Sequence, residues 1–386
     1  MVKLLGTATR KVKVLVFEMR YLLALFFART KHKVACRKKL VRHQSPANLL
    51  RNLRHANSVL WYVPAKFKPH SEESFTATFE FLQSYEEYRE QRKTLEYLRA
   101  QVFDYSTANE NASLQHALDC CASTPELVFI LMGPNWDRSP KFRDMKSDVQ
   151  NFKVKNPNSS LVGIYTDTAI PRDLYHLFRL HTYLDLVIVN DQDVQDIFPC
   201  TPRISPSVTP ISKKSSLVHS GKASFGTNIP DWDIGIFGTP YPDRLKIYQE
   251  LTRNGFRVYM PGSLGIRLNE LDYIQKQSIS KIQICTTRTY DGKRKQMKGH
   301  FGESLNAGSC TLVDDSSAIS RIFREGRHYL KFNDTGELIR LCRLLLDDDE
   351  ARKRVSFEGQ EKYRSIGYSA NYWLWVESFL AGVRSH

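Results

Sequence analysis

The stretch "KGHFGESLNAGSCTLVDD", residues 298–315, decides the fold of this protein. It begins with basic residues, continues through a short run of small residues suited to a helix, and ends as an apolar strand followed by two aspartates. A helix followed directly by an apolar strand is typical of the alternating units that build parallel sheets. Glu303 is the carboxylate of the helical part, and Lys298 and His300 precede it. The stretch therefore combines a fold signal with a group of charged residues.

The sequence on both sides of this stretch alternates between strand and helix patterns. Apolar strands are predicted in "SVLWYVPA", "AQVFDYS", "ELVFILMG", "SLVGIYTD" and "LDLVIVN", and again in "WDIGIFGTP", "FRVYMPG", "KIQICTT" and "HYLKF". A Pro- and Ser-rich stretch, residues 201–231, separates the two groups and is interpreted as an interdomain linker. We therefore predict an α/β protein with two doubly wound, Rossmann-like domains, residues 55–215 and 216–386.

The positive charge of the chain is concentrated at its N-terminus. The formal net charge is +15, and residues 1–54 hold fourteen Lys and Arg against one acid, whereas the remainder holds 42 against 40. A basic N-terminal segment predicts contact with an anionic surface, and the nearly neutral body argues against a nucleic-acid partner. Seven cysteines without CxxC spacing favour a reducing cytosol and give no metal motif.

Residues 12–28, "VKVLVFEMRYLLALFFA", are the apolar part of the basic segment. They are short for a membrane span of about 20 residues and contain three charges. On a helix they place an apolar face beside a basic edge, which is typical of helices that lie in a membrane interface. A core helix or a first strand explains the pattern equally well. The expected location is the cytoplasm, with peripheral attachment to the inner face of a membrane if the helix binds lipid.

The opening stretch resembles the C-terminal domain of GT-B glycosyltransferases, in particular the group 1-like branch that includes spore maturation protein B-type enzymes. That branch shows Lys-Gly-Arg-aromatic-Glu, a helix that ends in Gly and an apolar strand. The similarity continues in "IFREGRHYLKFNDTGEL" and "LLDDDEARKRVSFEGQEKY", and it is strongest over residues 293–365. "IGIFGTPYPDRLKIYQEL" resembles the start of the same domain, and "GIYTDTA" and "LDLVIVNDQDVQDIF" resemble strand ends of the N-terminal domain.

The resemblance implies a metal-independent glycosyltransferase without a cofactor. A nucleotide-diphospho-sugar would lie on the C-terminal domain, and an unknown glycan, lipid or protein acceptor on the N-terminal domain, with closure over a cleft. Glu303 would accept hydrogen bonds from the ribose hydroxyls, and Asp167 would be the catalytic base. The remaining implied donor-binding residues are Lys298, Arg294, Lys295, His300, Gly238, Arg244 and Ser304.

The sequence departs from the family pattern at three positions. His300 stands where Arg is usual, Gly302 where an aromatic residue is usual, and Lys295 where retaining relatives often carry an acid. The stereochemical outcome of the transfer therefore stays open. The same fold also serves nucleotide-sugar epimerases and hydrolases, and a non-catalytic, membrane-associated scaffold is a further alternative.

The charged candidates also have ordinary structural interpretations. Glu303 could be a first-turn acid that complements the helix dipole, and Asp167 could cap the helix after it. His176, His181 and His300 are other candidate bases. "DQD", residues 191–193, matches a metal-diphosphate pattern, but its position after a strand favours helix-capping acids.

The N-terminal hypothesis predicts that the full-length protein binds vesicles containing anionic lipid. Binding should weaken as salt rises, because attraction between exposed charges is screened over about 10 Å at 0.1 M salt. Vesicle co-sedimentation at increasing salt measures this effect. Equal binding to neutral and anionic vesicles would contradict the electrostatic part of the hypothesis.

Overall fold

The computed structural model describes residues 45–63, 77–91, 99–104, 114–132, 142–165, 180–189, 204–206, 210, 232–266, 268–287, 297, 299–314, 317–320 and 322–382. The chain forms two compact units. The first unit comprises Met1–Pro69, Lys93–Ser207 and Glu377–His386, and the second comprises His70–Arg92 and Val208–Val376.

The first unit is built on a six-stranded parallel sheet in the order β2-β1-β3-β4-β5-β6. Its strands are β1 (Ser58–Val63), β2 (Arg99–Asp104), β3 (Leu127–Met132), β4 (Ser160–Tyr165), β5 (Leu186–Val189) and β6 (Ile204–Pro206). Its helices are α1 (Pro46–His55), α3 (Leu114–Asp119) and α4 (Phe142–Lys155), and a 3₁₀ turn covers His181–Tyr183. Every residue of β4 and β5 is buried, as near-continuous apolar strands predict.

A buried ion pair fixes α4 to this sheet. Lys153 Nζ lies 2.6 Å from Asp185 Oδ2 and donates a second hydrogen bond to the Ser159 carbonyl oxygen at 2.8 Å. The same Asp185 oxygen accepts the backbone N–H of Leu161 at 2.9 Å. Because both charges have additional hydrogen bonds, the pair avoids the large penalty of an incompletely paired buried charge.

The second unit contains a five-stranded parallel sheet in the order β11-β10-β9-β7-β8. Its strands are β7 (Ile234–Gly235), β8 (Val258–Tyr259), β9 (Ile282–Cys285), β10 (Cys310–Asp314) and β11 (Leu330–Phe332). Its helices are α2 (Ala77–Gln91), α5 (Pro242–Arg253), α6 (Glu270–Ser278), α7 (Gly299–Asn306), α8 (Ser317–Ser320), α9 (Thr335–Asp347), α10 (Asp349–Gly367) and most of α11 (Ser369–Gly382), with a 3₁₀ turn at Pro261–Leu264. The two doubly wound parallel sheets confirm the predicted fold class.

The two units do not coincide with the predicted domains, residues 55–215 and 216–386. Helix α2 belongs to the second unit because its aromatic face packs on α11. Phe81 meets Tyr372 edge to face at 5.6 Å, and Tyr85 meets Trp373 at 5.1 Å between ring centroids. The strand pattern along the chain does not indicate which unit a helix packs against.

Part of the predicted linker, residues 201–231, is a strand. Ile204–Pro206 forms β6, which pairs with β5 at the edge of the first sheet. Proline lacks a backbone donor and is tolerated at such an edge. The rest of the stretch lies outside the described residues except for position 210.

Helix α1 falls within the predicted basic segment, residues 1–54, but its buried leucines belong to the core of the first unit. Ser45 caps it by accepting the N–H of Asn48 at 3.1 Å. Leu49 and Leu53 are almost fully buried. The side-chain amide of Asn52 donates to the carbonyl oxygens of Glu126 at 3.2 Å and Asn158 at 3.0 Å, and lies 3.0 Å from Ser160 Oγ. The boundary of the core therefore lies near residue 45.

The proposed interfacial helix, residues 12–28, lies outside the described residues. Among the helices that the structure describes, none has the length and apolarity needed to cross a bilayer.

The packing of α1 predicts different outcomes for two truncations. Deletion of residues 1–44 should leave a folded protein, whereas deletion of residues 1–54 should abolish cooperative unfolding. Loss of one buried leucine side chain costs about 2–5 kcal/mol, and α1 buries Leu49, Leu50 and Leu53 against a total stability of about 5–15 kcal/mol. Thermal denaturation followed by circular dichroism compares the two. A cooperative transition in the shorter protein would show that α1 is dispensable.

Candidate functional site

The candidate site lies at the carboxyl ends of β7 and β9. These neighbouring strands are where the strand order of the second sheet reverses. In open parallel sheets, ligands bind outside the carboxyl ends of the strands at this topological switch point. Residues 236–239 leave β7 there, and Thr286 and Thr287 leave β9.

Gly238 lets the chain after β7 pass close to a guanidinium. Its φ is 98°, in the region that favours glycine. A Cβ atom at this position would lie 2.6 Å from Nη1 of Arg244. Arg244 belongs to the first turn of α5, where Pro242 occupies the beginning of the helix. Any larger residue at 238 would displace the arginine.

Arg244 is only 3% exposed and is held by neutral groups. Nε donates to Thr286 Oγ1 at 2.9 Å and Nη1 donates to the Thr239 carbonyl oxygen at 2.9 Å. Nη2 lies 3.2 Å from Nε2 of His300. Because a guanidinium only donates, Nε2 of His300 is the acceptor in this contact.

Arg244 is buried without a carboxylate in direct contact, and Asp314 is a carboxylate whose charge acts on it from farther away. Burial lowers the pKa of the guanidinium, although the residue stays protonated at any physiological pH. In the part of the chain that the structure describes, no carboxylate forms an ion pair with it. A buried charge without a counter-ion is expensive, and such groups mark candidate binding sites.

Helix α7 carries the predicted site residue Glu303, but not at its first turn. The helix begins at Gly299, so Glu303 lies in its second turn, and both the predicted position at the helix mouth and the first-turn dipole interpretation are wrong. The helix extends through Gly302 because α10 packs closely there. A Cβ atom at 302 would lie 2.4 Å from the Tyr363 hydroxyl. Tyr363 therefore places an aromatic ring beside the position where the family usually carries one.

Glu303 is half-buried and fixed by a tyrosine. Its Oε2 accepts a hydrogen bond from the Tyr273 hydroxyl of α6 at 2.8 Å. Burial raises the pKa of Glu303, and contacts with Tyr273 and Gln277 partly oppose this shift. Tyr273 packs edge to face on Phe237 at 5.4 Å, which links Glu303 to the end of β7. The structure thus brings Gly238, Arg244, His300 and Glu303 to one edge of the sheet.

Ser304 has a structural position rather than a ligand-facing one. It is fully buried, and its hydroxyl lies 2.7 Å from Thr311 Oγ1 in β10. This contact ties α7 to the sheet, so we do not retain Ser304 in the donor-binding set. Gly308 follows the helix with a φ of 76°, in the region that favours glycine, which agrees with the glycine at the end of this helix in the family pattern.

Several site residues escaped the sequence analysis. Tyr273, Gln277, Thr286 and Thr239 contact the predicted residues, and Asp314 accepts a hydrogen bond from the Thr287 hydroxyl at 2.9 Å. The threonines and Asp314 stand at strand ends, which was an available signal. Tyr273 and Gln277 lie on a helix and carried no such signal.

The other predicted residues divide into two groups. His181 is fully buried in the turn before β5, at the amino edge of its sheet, which excludes it as an accessible base. Asp167, Lys298, Arg294, Lys295, His176 and residues 191–193 lie outside the described residues. Within the described ranges, no group of three or more His, Cys, Asp or Glu side chains could hold a metal ion.

Comparison with known proteins agrees with this geometry. Residues 223–373 match the sequence model of the family described as glycosyl transferase-like. No curated protein sequence shows a significant match to the chain. The matched residues all lie in the second unit.

Solved structures establish the fold. Anabaena HepE in complex with UDP superposes with a TM-score of 0.53 at 12% identity, covering 84% of this chain and 100% of that one. HepE with UDP-glucose gives 0.52 at 13%, covering 86% and 100%. Sucrose-phosphate synthase from Thermosynechococcus elongatus gives 0.52 at 9%, covering 84% and 100%. The chain therefore has the GT-B fold of glycosyltransferases.

The burial of Glu303 predicts how its replacement affects stability. Its carboxyl pKa is raised above the ordinary value of 4.5. In the pH window between the pKa of the unfolded chain and that of the native state, the native state holds a proton that the unfolded chain has lost. Stability therefore falls as pH rises through the window. Glu303→Gln removes the charge and keeps an acceptor for Tyr273. We expect this variant to gain stability relative to wild type as pH rises from about 4 to about 8.

Chemical denaturation across this pH range measures the difference. Tyr273→Phe is the control with the opposite sign, since it removes a hydrogen bond that favours the ionised carboxylate. A constant difference between Glu303→Gln and wild type at every pH would contradict the burial argument.

Proposed function

We propose that the protein is a metal-independent glycosyltransferase whose second unit binds a nucleotide-diphospho-sugar. The observation that carries the proposal is Arg244, a buried cation without a described carboxylate partner at the switch point of a GT-B-type sheet. A diphosphate supplies the missing negative charge. The family match over residues 223–373 supports the same ligand class.

Two further features of the site suit a diphosphate. The first N–H groups of α7, which begins at Gly299, have no acceptors within their own helix, and a helix start favours anions. Three of the five guanidinium N–H groups of Arg244 are used by Thr286, Thr239 and His300, which leaves two. The basic residues Arg294, Lys295 and Lys298 precede this helix in the sequence and are proposed to bind the same diphosphate.

Glu303 is proposed to bind the ribose of the donor. Tyr273 occupies Oε2, so Oε1 is the oxygen proposed to accept from the two adjacent hydroxyls. A carboxylate is a strong acceptor for such a pair. HepE, which shares the fold, was solved with UDP and with UDP-glucose, so UDP is the first nucleotide to test.

In the proposed reaction, an acceptor hydroxyl attacks the anomeric carbon while the bond to the donor phosphate breaks. Arg244 and the start of α7 stabilise the negative charge that develops on the departing diphosphate. Asp167 is proposed to take the proton of the acceptor hydroxyl, since it follows the last residue of β4 by two positions in the sequence. Product analysis would identify the sugar, the acceptor and the stereochemistry of the transfer.

The basic N-terminal segment is proposed to hold the enzyme at an anionic membrane.

The ribose assignment predicts a specific pattern of binding losses. Glu303→Ala should weaken UDP binding by roughly 10- to 100-fold, because hydrogen bonds to a charged group are worth about 1.5–3 kcal/mol. Glu303→Gln should lose less. A 2′-deoxy nucleotide should bind wild type more weakly and show little further loss in Glu303→Ala, since the interaction is already absent.

Calorimetric titration of both variants with both nucleotides measures this pattern, and excess chelator should not change it. Losses that simply add would contradict the ribose assignment. An absolute requirement for Mg²⁺ or Mn²⁺ would contradict metal independence. Sugar released to water without an acceptor would identify a hydrolase, and an isomerised donor would identify an epimerase.

A further inference from the structure

Gln277 is a buried amide that the proposed function does not yet use. Its side chain is fully buried. Neither its Nε2 nor its Oε1 has a hydrogen-bond partner in the described part of the chain. Its backbone carbonyl is occupied, because it accepts from Gln283 Nε2 at 2.9 Å and from Ser309 Oγ at 3.0 Å. An unpaired buried amide costs about 1–3 kcal/mol, and a partner gained in another state of the protein would offset that cost.

The position of Gln277 identifies Glu303 as that partner. Gln277 follows Tyr273 by four residues on α6, and residues at this spacing share one face of a helix. Tyr273 already donates to Oε2 of Glu303 at 2.8 Å. The Gln277 amide is close enough to Glu303 to help lower the pKa of its carboxyl group, although the two side chains form no hydrogen bond of ordinary length and angle. Its N–H, rather than its carbonyl oxygen, suits an ionised carboxylate.

Burial excludes direct contact between Gln277 and a ligand. A fully buried amide affects nucleotide binding only by contacting a side chain that is itself partly exposed, and Glu303 is such a side chain. We propose that Gln277 is a positioning residue: its amide N–H donates to the Glu303 carboxylate when a nucleotide binds, keeps that carboxylate ionised and directs Oε1 to the ribose hydroxyls. This inference rests on the proposed ribose contact of Glu303.

The role makes the preference for ribose depend on a residue that never touches it. When both Tyr273 and Gln277 donate to the carboxylate, rotation of the Glu303 side chain is restricted and Oε1 keeps a single orientation. Without Gln277, part of the affinity for the hydroxyls is lost and the carboxylate is protonated more readily. Both effects are measurable in the protein itself.

The test replaces Gln277 by Met, which has a similar length and no amide. Gln277→Met should weaken UDP binding by roughly 10-fold, the loss of about one hydrogen bond to a charged group. Binding of 2′,3′-dideoxy-UDP should be unchanged. The acid limb of UDP binding should move to higher pH, because the carboxylate loses a donor that favours its ionised form. Gln277→Asn, whose amide is one methylene too short, should behave in the same way.

Stability separates this role from a purely structural one. Replacing an unpaired buried amide by an apolar side chain of similar shape should leave the Tm of the ligand-free protein unchanged or higher. The matched control is Gln275→Met on the same helix, two residues away and therefore on another face. The control should bind both nucleotides as wild type does.

The outcomes distinguish the inference from the proposed function. If wild type binds UDP with a preference for ribose and Gln277→Met does so equally, with the same pH profile, the positioning role is wrong while the proposed function stands. Equal losses for UDP and dideoxy-UDP, or a lower Tm, would identify a structural residue and also overturn it. If wild type binds no nucleotide, the proposed function fails and the inference fails with it.

Discussion

Arg244 is a permanently charged side chain that folding removes from water at the carboxyl ends of β7 and β9. Its neighbours are a threonine hydroxyl, a backbone carbonyl and an imidazole nitrogen, none of which carries a negative charge in this arrangement. Gly238 is required beside it because a Cβ atom there would meet the guanidinium at 2.6 Å. The loop after β7, the start of α5 and the end of β9 are therefore all constrained by one cation.

The second constraint is the close packing of α7 on α10. Gly302 faces the ring of Tyr363, and a Cβ atom at Gly359 would lie 2.9 Å from Cδ2 of Leu305 in α7. At the other end of α7, Gln360 Nε2 donates to the Asn306 carbonyl oxygen at 2.7 Å. The glycines allow the two helices to approach, and the polar contact completes the end of the shorter one. This packing sets the position from which Glu303 meets Tyr273.

Sequence analysis predicted the parts of the structure that follow from local pattern. The parallel strands and the glycine that ends α7 were predictable, because apolar runs and positive-φ positions leave direct traces in the sequence. The start of α7 was not, since Gly299 and Gly302 argue against a helix until the packing of Tyr363 is known. The placement of α2 in the second unit also depends on partners far along the chain, Tyr372 and Trp373.

Each of the three polar groups of the site has a buried charge or amide that its described neighbours compensate only in part. Asp233 shows the ordinary solution, because Arg257 pairs with it through two hydrogen bonds of 2.8 Å. Arg244 is buried without such a partner, burial raises the pKa of Glu303, and the Gln277 amide is unpaired. Each of these features opposes folding of the ligand-free protein, and groups of this kind concentrate where function requires them. A ligand that carries a diphosphate and a pair of adjacent hydroxyls would compensate all three. The diphosphate would pair with Arg244, and the hydroxyls would bind Glu303, which the Gln277 amide would then contact from behind. The proposed nucleotide therefore accounts for the three features with a single ligand.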